Sequence, residues 1–193
     1  MEYDIMANLV LLDRDGTINE DEDLICKTSQ VRLIPRAAQA IKLLNERSIT
    51  VAMVTNQPVV ARNLCTEDDV RKINKHIVSM LAKQGARIDA VYYCPHHPEK
   101  GHPGANPIYR VDCDCRKPKI GMLKAASERF GIAPKDCFMI GDTTRDIKAG
   151  KDFGCKTILV RTGHGGKDKK YDVTADHVCD DLYDAAKLVV SLI

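Results

Sequence analysis

Two aspartates one residue apart, Asp13-Arg14-Asp15-Gly16-Thr17, follow the short apolar run Leu9 to Leu12. Gly16 allows the backbone to turn sharply at that point. Such a pair can divide labour: one carboxylate attacks phosphorus while the other shuttles a proton, provided their surroundings push the two pKa values apart. Three further segments supply what this chemistry needs. Thr55-Asn56 closes the apolar run Val51 to Val54, Arg116-Lys117 is a basic pair, and Gly141-Asp142 closes the run Phe138 to Ile140. A hydroxyl and an amide to hold phosphoryl oxygens, a lysine to offset charge and a third carboxylate to bind a divalent metal complete a phosphoryl-transfer site. Oxygen ligands of this kind suit Mg²⁺.

A second cluster asks for a softer metal. Cys94-Pro95-His96 and Cys113-Asp114-Cys115 offer three thiols and an imidazole across a stretch rich in Pro and Gly, the donor set of a closed structural Zn²⁺ site. Spacing alone leaves His96, His97 and His102 as rivals for the fourth ligand. Cys115 directly precedes Arg116-Lys117-Pro118, so a metal fixing Cys113 and Cys115 would hold both cations over the phosphate pocket. Of the other cysteines, Cys137 and Cys155 lie in or beside strand-like runs and read as small buried hydrophobes.

These residues must be positioned by elements that alternate along the chain. Besides the three runs named, Ala90 to Tyr93 and Thr157 to Val160 read as buried strands. Between them Ala37, Ala40, Ile41 and Leu44 share one helical face, and Val70, Ile73, Ile77 and Leu81 share another. Thr66 with Asp69 opens the second helix as a capping box, and Gly131 closes a helix containing Met122, Leu123 and Ala126. A last helix carries Leu182, Ala185, Val189 and Leu192 on one face. The alternation predicts a right-handed, Rossmann-like doubly wound α/β sheet whose ligand site lies at the carboxyl ends of the strands, where Asp13, Thr55, Cys94 and Asp142 fall. Pro95 to Asp112 reads as a long functional loop, and Thr162 to Asp172 as a flexible, solvated one near the pocket mouth.

The chain has 193 residues, and its 29 Lys and Arg against 27 Asp and Glu give a net charge of only +2, with no basic excess to bind nucleic acid. A hydrophobic fraction of 44% with no Trp and three Phe predicts one aliphatic core, and the length suits a single domain over residues 1–193. Stacking aromatics for a nucleic-acid groove are scarce. Leu9 to Leu12 is too short to cross a bilayer, and Glu2 and Asp4 stand where a signal peptide carries Lys or Arg, so we expect a cytoplasmic protein with no membrane partner.

The pattern D-x-D-G-T at Asp13 to Thr17, the strand-two Thr55, Lys117, and G-D-x-x-x-D at Gly141, Asp142 and Asp146 resemble the haloacid dehalogenase (HAD) superfamily of phosphatases over nearly the whole chain. The resemblance implies that Asp13 is the nucleophile forming an aspartyl-phosphate and Asp15 the general acid, then base. Thr55 and Lys117 would assist, and Mg²⁺ would be held by Asp13, Asp142 and the backbone carbonyl of Asp15. It implies that Asp146 supports Asp142 rather than binding metal.

Cys94-Pro95-His96-His97-Pro98 followed by Cys113-Asp114-Cys115-Arg116-Lys117-Pro118 resembles the zinc-containing branch, which has no large cap domain and a zinc-stabilised loop instead. In that branch Cys94, His96, Cys113 and Cys115 are the zinc ligands. It contains heptose 1,7-bisphosphate 7-phosphatases and histidinol-phosphatase domains, and Thr55-Asn56-Gln57 with Val160-Arg161-Thr162-Gly163 is closer to the heptose group. Asn56, Arg62 and Arg116 are then the substrate-binding candidates, and the expected protein is a monomer acting on a small phosphorylated sugar. Two segments depart from the heptose pattern: Pro58-Val59-Val60-Ala61-Arg62-Asn63 lacks its two glycines, and Glu20 to Asp23 is an acidic run. Histidinol phosphate remains the alternative substrate, and a non-enzymatic binding module on the same scaffold the alternative role.

Overall fold

The computed structural model describes residues 8–22, 24–98 and 103–193. Glu2, Asp4, Asp23 and His102 lie outside the described residues. Five runs become strands close to their expected limits: β1 (Leu9–Leu12), β2 (Thr50–Asn56), β3 (Ala90–Cys94), β4 (Cys137–Gly141) and β5 (Lys156–Val160). A sixth strand, β6 (His177–Cys179), was not evident in the sequence. All are parallel, in the order β3-β2-β1-β4-β5-β6.

Each strand of the centre is buried on both faces, which is why β1 reads as four unbroken apolar residues. Successive side chains still alternate: Val10 and Leu12 enter one core with Ile41, Ile73 and Val189, while Leu9 and Leu11 enter the other with Leu123, Ala126 and Met139. The first core is covered by α1 (Ala37–Glu46), α2 (Glu67–Ala82) and α5 (Leu182–Leu192), the second by α3 (Gly121–Phe130) and α4 (Thr144–Phe153). Among the described residues no helix is long and apolar enough to cross a membrane.

Local signals set the helix ends. The hydroxyl of Thr66 accepts from the Asp69 N–H while the Asp69 carboxylate accepts from the Thr66 N–H, closing the box that starts α2. Gly131 ends α3 in the left-handed conformation. Leu192, expected on the buried face of α5, is 38% exposed because that helix ends beyond the edge of its core.

Strands added after β1 run outward to β3, and the chain then returns to place β4 on the other side of β1. The order reverses between β1 and β4, so their carboxyl ends open a crevice between diverging loops. Asp13 and Asp142 stand at that crevice.

Candidate active site

Asp13 leaves β1 with its backbone N–H still bonded to the Ile140 carbonyl of β4, so the sheet itself sets its position. Its carboxylate meets the Nζ of Lys117 at 2.9 Å, and the same ammonium meets Asp146 at 2.6 Å and donates to the Val54 carbonyl at 2.7 Å. Burial opposes the charge on Lys117, but Asp13 and Asp146 outweigh it and hold the lysine protonated. Asp13, Asp142 and Asp146 bring one carboxylate oxygen each within 4.8 Å of one another. Burial first, and then its acidic neighbours, push Asp13 up to about 6 and Asp142 up to about 8. Three crowded carboxylates against one lysine leave negative charge that a divalent cation neutralises, and Asp142 Oδ1 is buried with no hydrogen-bond partner. The donor set therefore fits Mg²⁺. Asp146 is fully buried, and beyond Lys117 its other oxygen accepts from the Thr143 N–H at the start of α4. It braces the lysine and the helix instead of bonding Asp142.

Asp15 is held differently. Its two oxygens accept from Arg14 Nε and Nη2, both at 2.9 Å, from Asn19 Nδ2 at 2.9 Å and from Gln57 Nε2 at 2.8 Å. Burial raises its proton affinity, but Arg14, Asn19 and Gln57 together bring it below the usual carboxylate range. The environments of Asp13 and Asp15 thus push two adjacent carboxylates in opposite directions. Arg14 is fully buried, and its remaining N–H groups reach Gln57 and Asn74. Sequence reasoning missed Arg14, Gln57 and Asn74 as parts of the site. The available signal was Asn74 itself, a polar residue beside the apolar face of α2 between Ile73 and Ile77.

Thr55 ends β2 almost fully buried, and its hydroxyl oxygen accepts from Gln57 Nε2 at 2.9 Å, which leaves its proton free to turn toward a phosphoryl oxygen. Asn56 lines the pocket, but its amide is engaged in both directions with the backbone of Lys117, at 3.0 Å each way. It serves here as a brace for the lysine.

The loop after β5 corrects an expectation. Thr162 donates to the Gly16 carbonyl at 2.7 Å, the His164 N–H donates to Asp142 at 2.7 Å, and the Gly166 N–H to the Asp142 carbonyl at 2.7 Å. Asp168 accepts from both the N–H and the hydroxyl of Thr144. The stretch is pinned to the site instead of being merely solvated, since its turn aims the His164 N–H at the buried Asp142 carboxylate and the Gly166 N–H at the Asp142 backbone carbonyl. Gly16 and Gly163 adopt positive φ of 79° and 55°. A methyl group on either would come within 2.3 Å of an Asp142 oxygen, so both backbones are pressed against that carboxylate.

The zinc candidates also converge. Cys94 Sγ lies 3.5 Å from Cys113 Sγ and 3.8 Å from His96 Nδ1, and Cys115 Sγ lies 3.2 Å from Cys113 Sγ and 3.5 Å from His96 Nδ1. Bond lengths of about 2.3 Å to sulfur and 2.0 Å to nitrogen give tetrahedral edges of about 3.5–3.8 Å, so these donors fit one Zn²⁺. Hydrogen bonding from Cys94, ahead of the opposing effect of burial, brings Cys115 down to about 5, the thiolate form that a metal takes. His97 is buried outside the cluster, its N–H on the Tyr109 carbonyl. Arg116 Nη1 donates to the His96 carbonyl at 3.0 Å, tying the cluster to the pocket.

The pocket has a volume of about 270 Å³ and is lined by Asp13, Asp15, Asp142, Thr55 and Lys117 at its base. Leu24, Ile25, Pro58 and Val59 form an apolar wall, while Arg62, Arg116, Arg145 and His164 surround the rest. Arg62 faces this space with its Nε buried and unpartnered. Arg145 was not singled out from the sequence.

A parallel sheet that presents an aspartate beside a buried lysine, with further carboxylates that could hold a cation, each from a different strand end or loop, is the arrangement of a HAD-type phosphohydrolase. Comparison with known proteins agrees. A family model described as "HAD-hyrolase-like" matches residues 114–185. The chain is 37% identical to D-glycero-D-manno-heptose-1,7-bisphosphate 7-phosphatase of Chlorobaculum tepidum, over 93% of this chain and 92% of that protein. It is 37% identical to D-glycero-beta-D-manno-heptose-1,7-bisphosphate 7-phosphatase of Pasteurella multocida, over 97% and 99%. The crystal structure of D,D-heptose 1,7-bisphosphate phosphatase from B. bronchiseptica, complexed with magnesium and phosphate, superposes with a TM-score of 0.83 at 31% identity, covering 96% of this chain and 99% of that one. The chain belongs to the heptose-bisphosphate 7-phosphatase family of HAD-like hydrolases and is a phosphoric monoester hydrolase.

Proposed function

We propose that this enzyme removes the 7-phosphate of D-glycero-D-manno-heptose 1,7-bisphosphate, a step toward nucleotide-activated heptose and lipopolysaccharide, as a cytoplasmic monomer in which residues 1–193 act as one phosphatase unit. The observation that carries this reading is the buried Asp13–Lys117 pair at the β1/β4 crevice, in a chain matched almost end to end by enzymes named for that substrate.

In the reaction Asp13 attacks phosphorus while Lys117 keeps it ionised, and the Thr55 hydroxyl donates to a phosphoryl oxygen. Asp15 delivers a proton to the departing sugar oxygen and then takes one from the water that cleaves the aspartyl-phosphate. To do so it leaves the fork of Arg14, Asn19 and Gln57. Asp13, Asp142 and the Asp15 carbonyl would hold Mg²⁺, which when bound supplies positive charge to the transferring phosphoryl group. Cys94, His96, Cys113 and Cys115 would hold Zn²⁺, whose role is structural. Arg62 and Arg116 contact substrate.

Comparing kcat/KM on both anomers of heptose 1,7-bisphosphate and on histidinol phosphate tests the reading. We expect a heptose bisphosphate to lead by more than about tenfold, or about 1.4 kcal/mol of differential transition-state binding. A lead for histidinol phosphate would overturn the substrate. Full activity of Asp13→Asn would overturn the mechanism.

A further inference from the structure

The pocket lining carries four carboxylates and, besides Lys117, three arginines, Arg62, Arg116 and Arg145. Each carboxylate in its lining has a partner: Asp13 has Lys117, Asp15 has Arg14, Asp21 meets His164 at 3.1 Å, and Asp142 accepts from the His164 N–H. Among the described residues Arg145, like Arg62, has no such partner. It is half-buried at the first turn of α4 and lines the pocket, yet among the described residues its guanidinium makes no hydrogen bond or ion pair.

Arg145 also lines a second cavity of about 370 Å³ that shares Arg116 and Lys117 with the catalytic pocket. The remaining walls of this side chamber include Lys119, Lys170 and Tyr171, and its one acidic residue among those described, Asp112, is already paired with Lys119 at 2.7 Å. The chamber adjoins the catalytic pocket through Arg116, Lys117 and Arg145, and its lining holds more basic than acidic side chains. A guanidinium presents a planar fork suited to phosphate oxygens, and Arg145, which acts on the buried Asp146 only through space with no ion pair, keeps that fork available to an anion.

We propose that Arg145 is a specificity residue that seats the second, non-reacting phosphate of a bisphosphorylated substrate in this side chamber. The inference rests on the bisphosphate reading above and adds to it the residue that recognises the distal group.

The test compares wild type, Arg145→Gln and Arg145→Lys on heptose 1,7-bisphosphate and on the matching heptose 7-phosphate. Lys148→Gln, which removes an exposed cation paired with Asp152 on the outer face of α4, controls for net charge. In Arg145→Gln the bisphosphate-to-monophosphate ratio of kcat/KM should fall at least about tenfold, chiefly through KM, with an intermediate value in Arg145→Lys and no change in Lys148→Gln. A ratio within about twofold of wild type in Arg145→Gln, or equal losses on both substrates, overturns the proposal while leaving the bisphosphate reading intact. A wild-type enzyme that shows no preference for the bisphosphate overturns that reading, and this inference with it.

Discussion

Arg14 stands between the two aspartates of the D-x-D motif and is fully buried. It spends its donors on Asp15, Gln57 and Asn74, so it sets where the second carboxylate rests and how strongly it holds a proton. Loss of Arg14 would by itself favour the protonated Asp15, but it also frees the carboxylate from its fixed position, so Arg14→Met should reduce kcat on a sugar phosphate by about 10²-fold through misplacement of the acid. An aryl phosphate, whose leaving group departs without a proton, should lose much less. Equal losses on the two substrates would show that Arg14 matters only for folding. Arg14→Lys should not rescue, because an ammonium cannot reproduce the fork. The variant should also lose about 1–3 kcal/mol of stability for the buried Asn74 oxygen left unpaired, read by urea unfolding. The D-x-D motif was legible because its spacing is local. The fork was not, because its members Gln57 and Asn74 lie on β2's exit and α2, and only the folded chain brings them to Arg14.

Elements differ in how plainly their sequences declare them. β1, β2 and β4 are buried on both sides and read as apolar runs, whereas α4 begins Thr-Arg-Asp-Ile-Lys and has few apolar positions because its first turn serves the site. β6 is three residues long, lies at the sheet edge and has no apolar run to reveal it. Its register is set instead by Asp176, whose carboxylate accepts from the Thr157 N–H and hydroxyl, both at 2.8 Å, and from Lys151. Against the cost of burial, these bonds bring Asp176 down to about 2. Its folded pKa is thus below the unfolded value of about 3.9, so it stabilises the fold above pH 4 and that contribution is lost as pH falls from about 4 to about 2. The side chain is 37% exposed, so solvent screening keeps the contribution near about 1 kcal/mol. Asp176→Asn should be less stable than wild type at pH 7, and the gap should close by pH 2. A gap of constant size across that window would rule out the ionic origin.

At the scale of the whole molecule, no separate domain stands above the catalytic pocket among the described residues, and the segments around its mouth are tied by the Cys/His cluster and by cross-links between loops. Tyr109 of the long loop donates to Glu67 at 2.9 Å, as does Tyr93 at 2.6 Å, so β3, α2 and the loop meet at one carboxylate. Stripping zinc with a chelator should lower the thermal midpoint by about 6–12 °C, if about 3 kcal/mol of folding free energy is lost at about 2–4 °C per kcal/mol. Activity should fall with it and return on adding Zn²⁺ but not Mg²⁺. Full activity in well-folded, metal-analysed zinc-free protein would contradict the assignment. The donors of this cluster were visible in the sequence as C-x-H and C-x-C; spacing left His96 and His97 open, the family resemblance favoured His96, and the folded backbone turns that ring into the cluster and buries His97 outside it.

Surface loops are ordinarily where a protein lineage accumulates change most freely, and the stretch from Thr162 to Lys170 looks like such a place. Its freedom is removed by the contact of Gly163 with Asp142 and with the Gly16 backbone, where one added methyl group would displace the carboxylate that the cation needs. Selection on this loop is therefore exerted through the volume around a single oxygen atom, and not through the stability of the loop itself. Side chains on the other side of the pocket, Leu24, Pro58, Val59 and Arg62, line the same space free of that constraint.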